Sequence, residues 1–554
     1  DQTTGLNYTL PINKIPLFDF VNATYSYTAD FDWQAASKSY VEDVGNTIQN
    51  ANTHTISADL DMTKLYKKTG ILNLANKRNK NKKNKANKKQ SKESLPAITN
   101  SRAVVVNRNK KNMTSGQKII QGLVDVVTSV KKIKVAYAEN NGTILPGYVP
   151  EVGFLGRDNY SGGLAPTLGF VFGSQRDIRE IALTNNWLVS RGSVDSAYYS
   201  RNYSTTHFNK LDLNADVRPF KDLNIELSAN RVFTKNQSQQ LDVIGGSFNS
   251  DLPINEIGNF SISYFMLQTS FDGNGDTTFE KFKTNRSIIA SRLADQSGAD
   301  ISNFGGNSQQ VLLPAFLAAY SGKDANSIQL GAFRDVPIPN WRINYKGFMK
   351  FKWFKKHFRS FSIEHRYRSN YSIIGFNNNL LYKPDAPYSN PDLNTNNYQA
   401  EKLFTGINLI EEFSPLLKVD MRMKSSFSVS AQIKRDKSLN LNMNNNTITE
   451  IRGKEYVVGL GYRLKNIKLK MKTGNTTTTF KGDINLKADF SLRDNSTIIR
   501  SIDIENNQVT GGQKLISFKF LADYALNKNL LASFFYDHNS SRFLISTTFP
   551  RKSI

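Results

Sequence analysis

Alternation with a period of two runs through this chain and limits what it can fold into more than any other feature. In DINLKADFSL (483–492), Ile484, Leu486, Ala488, Phe490 and Leu492 fall on one side, and Asp483, Asn485, Lys487, Asp489 and Ser491 on the other. Strand side chains point alternately to two faces, so such a run is a strand with one apolar and one wet face. LDLNADV (211–217) repeats the pattern, which resumes after RPFKD in LNIELSAN (223–230) and reads as a hairpin turning around Pro219 and Asp222. NATYSYTADFDW (22–33), TISADLDM (55–62), FSVSAQI (427–433), EYVVGLGY (455–462), LISFKFLADY (515–524) and LLASFFY (530–536) add further strands.

Two architectures produce this pattern. A β-sandwich hides its apolar faces between two sheets. A transmembrane barrel turns them to lipid and its polar faces to water. Three features favour the barrel. The polar faces are densely charged. The alternating runs are about 8–12 residues long, enough for a tilted strand to cross a bilayer. Trp33, Tyr462, Tyr524 and Tyr536 sit near run ends, like an interfacial girdle. The expected fold class is all-β, a transmembrane antiparallel β-barrel with helical and irregular insertions. Strand directions counted from the two ends disagree near 400–435, so a strand there is miscounted.

Composition excludes more than it assigns. The chain has no Cys, which removes disulfides, thiolate metal sites and Cys nucleophiles. No window offers about 18 uninterrupted apolar residues, the length of a membrane-spanning helix. The most apolar helix-like run, VLLPAFLAAY (311–320), is short and contains Pro314. The chain starts DQTTGLNYTL and stops at TTFPRKSI in mid-pattern, which reads as a piece of a longer polypeptide.

Barrel strands are expected over 1–70, 132–146, 191–270 and 346–554, the last strand missing. Between them lie a basic flexible loop (71–112), an amphipathic helix (113–131), an ordered Gly/aromatic insertion with a short helix (147–190) and a helical insertion (271–345). The 77–92 run, KRNKNKKNKANKKQSK, has nine basic residues and no acid; without an aromatic or glycine pattern it reads as a solvated loop, with anionic lipid or lipopolysaccharide as another partner and no nucleic acid. Formal charge without the run is still 25 − 9 = +16.

Asp272, Asn274 and Asp276 in DGNGDTTFE partly resemble a calcium loop, but the sixth and twelfth positions, where an EF-hand needs Gly and Glu, hold Thr277 and Lys283. The five histidines are scattered, and no GxSxG, HExxH or phosphate-cradling loop occurs. No cofactor is expected, and nothing points to an enzyme.

GYVPEVGFLGRDNYSGGLAPTLGFVFGSQ (147–175) has neither strand nor helix period. Its glycines permit tight turns, and Pro146, Pro150 and Pro166 block ladder pairing. Val149, Phe154, Leu155, Leu168, Phe170, Val171 and Phe172 need an apolar surface to bury against. The stretch reads as an ordered insertion against the barrel's mouth or interior, anchored by a 175–184 helix that Ser174 caps with Asp177 in the first turn. Pro146, Gly147, Pro150, Phe154, Gly156, Gly162, Gly163, Pro166, Phe170 and Phe172 are the candidate pore- or partner-contact residues.

Several stretches resemble one family in order along nearly the whole chain. They are GNTIQN (45–50), NNGTILPGYVPEVGFLG (140–156), GFVFGSQRDIREIALTNNWL (169–188), NEIGNFSISYFMLQTSF (255–271), FRSFSIEHRYRSNYSI (358–373), SLRDNSTIIRSI (491–502) and GGQKLISFKFLADY (511–524). The chain is similar to the C-terminal portion of the SprA/Sov family, the type IX secretion translocon of Bacteroidetes-type bacteria. The resemblance implies a place in the Gram-negative outer membrane and part of a very large single-chain barrel. It also implies a wide pore for folded cargo proteins, with a lateral gate, serving surface-protein secretion and gliding motility. The implied partners are a PorV-type outer-membrane shuttle protein, a periplasmic plug protein, a periplasmic peptidyl-prolyl isomerase and the secreted cargo. A plugged nutrient-uptake outer-membrane barrel and a secreted β-sandwich adhesin are the competing readings.

Overall fold

A computed structural model describes residues 1–69, 126–193, 200–249, 252–272, 275–473, 476–504, 507–527, 530–545 and 551–553. The basic run and most of the 113–131 helix expectation lie outside them. The alternating runs form one antiparallel sheet of sixteen strands. Its first half holds β1 (Gln2–Leu10), β2 (Val21–Gln34), β3 (Asn46–Asp61), β4 (Val130–Tyr148), β5 (Asn202–Phe220) and β6 (Leu223–Gln240). A separate two-stranded hairpin follows, β7 (Val243–Ile244) with β8 (Ser247–Phe248). The sheet continues with β9 (Ile254–Ser263), β10 (Asn340–Tyr345), β11 (Phe358–Asn378), β12 (Lys402–Met423) and β13 (Phe427–Asn442). It ends with β14 (Thr447–Thr473), β15 (Thr476–Ser501), β16 (Asn507–Asn527), β17 (Leu530–Phe543) and β18 (Arg551–Ser553). Strands pair with their chain neighbours, and β1 and β18 are the sheet's two edges among the described residues.

One position in the sheet is filled by two chain segments. β9 pairs with β6 from Gln239↔Ile254 to Arg231↔Ile262, and β10 continues the same line from Ser228↔Asn340 to Leu223↔Tyr345. Both also pair with β11. A single strand is therefore interrupted by residues 264–339, which leave the sheet and return to it. This split is why counting strands from each end fails. The 400–435 region itself holds two antiparallel strands, β12 and β13, and the register shift between Phe413 and Leu417 leaves their number unchanged.

The pairings sort all side chains onto two faces. On β14, Tyr456, Val458, Leu460 and Tyr462 point one way, opposite Leu492, Phe490, Ala488 and Leu486 of β15. Gly459, Gly461 and Arg463 point the other way with Asp489, Lys487 and Asn485. The polar face carries concavities of about 950 and 670 Å³, lined by residues such as Lys418, Asp420 and Asp489, and Asp212, Glu226 and Arg342. The apolar face is the outer one. From Tyr456 to Leu464, at ~3.4 Å rise and ~40° tilt, its exposed band covers ~20 Å along the membrane normal, close to a barrel's lipid-facing height. This is the wall of a transmembrane antiparallel β-barrel, as the alternation predicts. Among the described residues no helix is long and apolar enough to cross a membrane.

Connections differ at the two ends. At the lower end several hairpins turn in a few residues, 221–222 joining β5 to β6 and 424–426 joining β12 to β13, although the 62–129 connection between β3 and β4 also starts and ends there. The upper end carries the long connections 149–201 and 379–401, and the 264–339 excursion leaves in mid-strand, between the Arg231 and Ser228 levels of β6. Where upper turns are short, Asn446 holds a positive φ, a conformation Asn tolerates better than most residues.

Five minor helices, α1 (Val41–Val44), α2 (Met62–Lys68), α3 (Leu168–Val171), α4 (Arg179–Thr184) and, further on, α7 (Lys352–His357), decorate the connections. The two long ones, α5 (Asp276–Ser297) and α6 (Gln309–Ser321), make up the 264–339 insertion. The helical stretch expected over 271–345 thus ends earlier, since 340–345 return to the sheet as β10. The helix expected at 175–184 begins at Arg179 with Ile178 as its N-cap. Ser174 does not cap it; the Asp177 carboxylate receives the Arg179 amide at 3.0 Å instead. Trp33 belongs to no girdle. It packs beneath the first insertion, in the cluster of Phe31, Ile48, Leu145 and Phe170. Tyr536 lies within the apolar band, opposite Phe520.

Candidate functional site

Both insertions lie on the apolar side of the wall, above the exposed band. β14 shows the division on a single strand. Tyr456 is 48% exposed, while Ile448, on the same face, is fully buried under the helical insertion. The expectation that the 147–175 stretch folds into the mouth or interior is therefore corrected, because its contacts are with the outer face.

The first insertion docks by backbone carbonyls. Asn50 gives its amide to the Phe170 and Ser174 carbonyls at 2.8 and 3.0 Å, Asn52 to that of Gly173 at 2.7 Å, and the Tyr27 hydroxyl donates to the Phe172 carbonyl. Gly173 holds φ +82°, and a Cβ there would meet Ala29 and Tyr27 at 2.9 Å, so this close approach needs glycine. Arg179 grips Asp177 through two nitrogens and lies 4.4 Å over the Tyr203 ring. Burial works to raise the Asp177 carboxyl, but the bonds from Arg179 outweigh it and hold the group below the ordinary range.

The candidate residues of this stretch separate into wall, core and tip. Pro146 and Gly147 are part of β4; Pro146 opposes Thr47 inside the ladder, beside an irregular step, so it does not block pairing. Phe170 and Val171 are buried, as are Gly156 and Gly147. Pro150 and Pro166 are buried or half-buried; Gly162 and Gly163 are exposed. The remaining apolar residues do not find the surface expected of them. Phe154 is 79% exposed, and Val149, Leu155, Leu168 and Phe172 are also exposed. Tyr160 is 80% exposed as well, and the turn that carries Phe154 is the tip, tied to the edge strand where Gln2 accepts from the Leu155 amide and donates to the Gly153 carbonyl.

The helical insertion is fixed by hydrophobic and ionic contacts. Phe279, Phe282, Leu312 and Phe316 pack on Ile262, Tyr371, Leu409, Leu439 and Ile448 of the wall. Below them, charges stand in phase with the apolar face. Glu450 is fully buried, accepts from Arg452 at 2.6 Å and pairs with buried Arg500 at 3.4 Å. Arg500 reaches Asp276 at the start of α5 at 2.7 Å, and Arg452 donates to the Asp272 carbonyl at 3.0 Å. Lys437 donates to the Thr269 carbonyl at 3.0 Å, and Ser270 donates to Glu411 at 2.5 Å. Nothing in the expected site anticipated this network. Its signal was present in IKRDKSLNL, where Arg435 and Lys437 occupy the face of Ile433, Leu439 and Leu441.

The weak calcium candidate dissolves into these contacts. Asp276 is Arg500's partner, the Asp272 carboxylate takes the Thr278 hydroxyl, and Asn274 lies outside the described residues. Among the described residues no three His, Cys, Asp or Glu side chains converge to hold a metal. Between the two insertions the wall forms the floor of a groove of about 700 Å³. Gln175 and Arg179 border it on one side, Phe333 and Lys402 on the other, and His207 and Lys235 lie on its floor.

No family model and no curated protein matches this sequence. Solved structures align loosely along most of it. The RagAB peptide transporter covers 95% of the chain at 8% identity and a TM-score of 0.27. The siderophore receptor PiuA from Acinetobacter baumannii covers 98% at 7% identity and 0.27. The ferric-catecholate import receptor Fiu from K12 E. coli covers 98% at 7% identity and 0.26. The chain spans about half the length of the peptide-transporter chain, 49%. Alignments this loose leave function to the chain's own geometry.

Proposed function

We propose that this chain is part of an outer-membrane protein-conducting channel of the type IX secretion kind, a segment of a very large single-chain barrel. The observation that carries the reading is the polar face. It is concave, charged from β2 to β17, and left open because both described insertions pack on the opposite side. A conduit for folded protein needs a wide wetted wall, and a wall with its loops outside supplies one. In such barrels short turns face the periplasm and long connections the exterior. The insertions then stand outside the cell, and the connection holding the basic run, which starts and ends at the lower end, is periplasmic. The channel carries no chemistry of its own. Cargo passes along the polar face, released through a lateral gate, with a PorV-type shuttle, a periplasmic plug protein and a peptidyl-prolyl isomerase as neighbours.

The absence of native Cys makes the test direct. Single cysteines are placed in the intact protein at polar-face positions Asp212, Lys418 and Lys487 and at the outer-face position Leu460, then crosslinked in secreting cells. The polar-face thiols should capture folded secreted protein and Leu460 should not. Thiols that react only with small reagents or peptides would instead favour an uptake barrel.

A further inference from the structure

The lower rim of the outer face carries a segment that the secretion reading does not use. Residues 346–359 read KGFMKFKWFKKHFR, with six cations, five Phe or Trp and no acid. The chain leaves β10, forms a 3₁₀ turn at Gly347–Lys350, continues into α7 and enters β11. Its aromatics fold back onto the wall. Phe354 stands 4.9 Å from Phe361, Phe348 stands 5.4 Å from Phe361, and Phe348 also meets Tyr345 at 5.3 Å. Tyr345 opposes Ile363 and Phe361 opposes Met421, residues of the lipid-facing side at its lower end. The cluster therefore continues the apolar band downward.

The cluster is only half covered. Phe351 and Trp353 are each 59% exposed, beside exposed Lys352, Lys355 and Lys356. Lys350 pairs with Asp222, whereas no ion pair engages Lys352, Lys355 or Lys356 among the described residues. Aromatic rings at the edge of a hydrocarbon band, interleaved with unpaired ammonium groups, match the boundary between acyl chains and anionic headgroups. A surface of water alone would leave the two exposed rings uncovered. A neutral headgroup would leave the three cations uncompensated.

We propose that 346–359 is a binding site for anionic phospholipid headgroups in the leaflet at the short-turn end. Phe351 and Trp353 enter the acyl boundary, and Lys352, Lys355 and Lys356 hold headgroup phosphates. The site needs only the membrane-spanning wall and does not depend on what the barrel conducts.

The intact protein is reconstituted into vesicles of phosphatidylcholine with or without phosphatidylglycerol, one lipid at a time carrying brominated chains. Trp353 quenching is read as the difference between wild type and Trp353→Phe. Brominated phosphatidylglycerol should quench Trp353 well beyond its share of the lipid. Each Lys beside an anionic surface is worth about a factor of five, so K352Q/K355Q/K356Q should lose roughly 100-fold in that selectivity. The three lysines are exposed, so the variant keeps its fold; unchanged quenching of the other tryptophans checks this. Equal quenching by both lipids would overturn the proposal. So would a Trp353 that no lipid reaches and that crosslinks to protein in cells.

Discussion

Replacing Glu450 by Gln tests whether the ionic network holds the helical insertion on the wall. Glu450 is fully buried and answers two guanidinium groups, Arg452 at 2.6 Å and Arg500 at 3.4 Å. The amide keeps the volume and removes the charge. Arg500 retains Asp276, but Asp276 is itself well exposed, so it offsets only part of the loss. Breaking a buried pair by neutralising one partner costs ~3–5 kcal/mol, and the lower end applies here because Asp276 remains. About 3 kcal/mol raises the population of the undocked insertion roughly 100-fold. Hydrogen exchange of the α6 amides, Val311 to Tyr320, reads this directly, since these residues are buried only while the insertion is docked. Asp489→Asn is the control. Its pair with Lys487 lies on the wetted face with 35% and 64% of the side chains exposed, and is worth about 0–1 kcal/mol. If α6 exchange in Glu450→Gln stays within a few-fold of wild type, the network does not secure the insertion. If α6 and the neighbouring strands accelerate together, the wall and insertion are one cooperative unit and the docking argument fails.

Leu460→Lys should cost ~2–4 kcal/mol of refolding stability in lipid vesicles, because position 460 faces the bilayer, whereas Ser430→Lys on the wetted face should be near neutral. Phe170→Ala, which empties a buried site, should destabilise the first insertion by ~3–5 kcal/mol in thermal unfolding followed by limited proteolysis; Phe154→Ala, at the exposed tip, should leave it unchanged. Gly173→Ala should loosen the same insertion, seen as faster exchange at Phe170 to Ser174, since the added Cβ would stand 2.9 Å from Ala29 and from the Tyr27 hydroxyl. The Asp177 carboxyl is held below its ordinary value, so its contribution to docking is complete above the unfolded carboxylate range and lost as pH falls through the lowered folded value. Exchange at α4 should therefore accelerate only under strongly acidic conditions, and Asp177→Asn should abolish that pH dependence.

Strands were legible because their pattern is local. DINLKADFSL and LDLNADV lie inside β15 and β5 with the expected residues on each face, and the turn around Asp222 joins β5 to β6. Legibility failed where the cause was not local. No residue within 254–263 or 340–345 announces that the two are halves of one strand, because the information lies in their shared partners on β6 and β11. The first insertion was legible as an ordered body, but not in its burial. Phe170 is covered because Phe31, Ile48 and Leu145 of the wall lie beneath it, where Asn50 and Asn52, more than a hundred residues earlier, donate to the Phe170 and Gly173 carbonyls. Phe154 has the same chemistry, and Gln2 bonds the groups on either side of it, yet its ring stays 79% exposed. Aromatic content shows that a segment needs cover; it does not show which rings receive it.

The same limit explains why the first insertion was expected against the mouth or interior. A strand face apolar enough for lipid is equally suited to a packed helix, and the period-two pattern is identical for both. β14 shows both uses: Ile448 under α6 and Leu460 in the exposed band share one face of one strand. Its 27 residues exceed what a bilayer crossing needs, about 9–11, so the upper part of the strand stands clear of lipid. An apolar wall left in water invites association with other proteins. Folding loops back onto it covers that surface, and it does so without narrowing the wetted side. The charges embedded in the covered zone, Glu411, Lys437, Glu450 and Arg500 among them, mark in the sequence where lipid ends. Four ionisable groups in phase with the apolar face would be expensive opposite acyl chains. Beneath α5 and α6 they find partners, so the height at which charges enter the apolar phase marks the height at which protein replaces lipid.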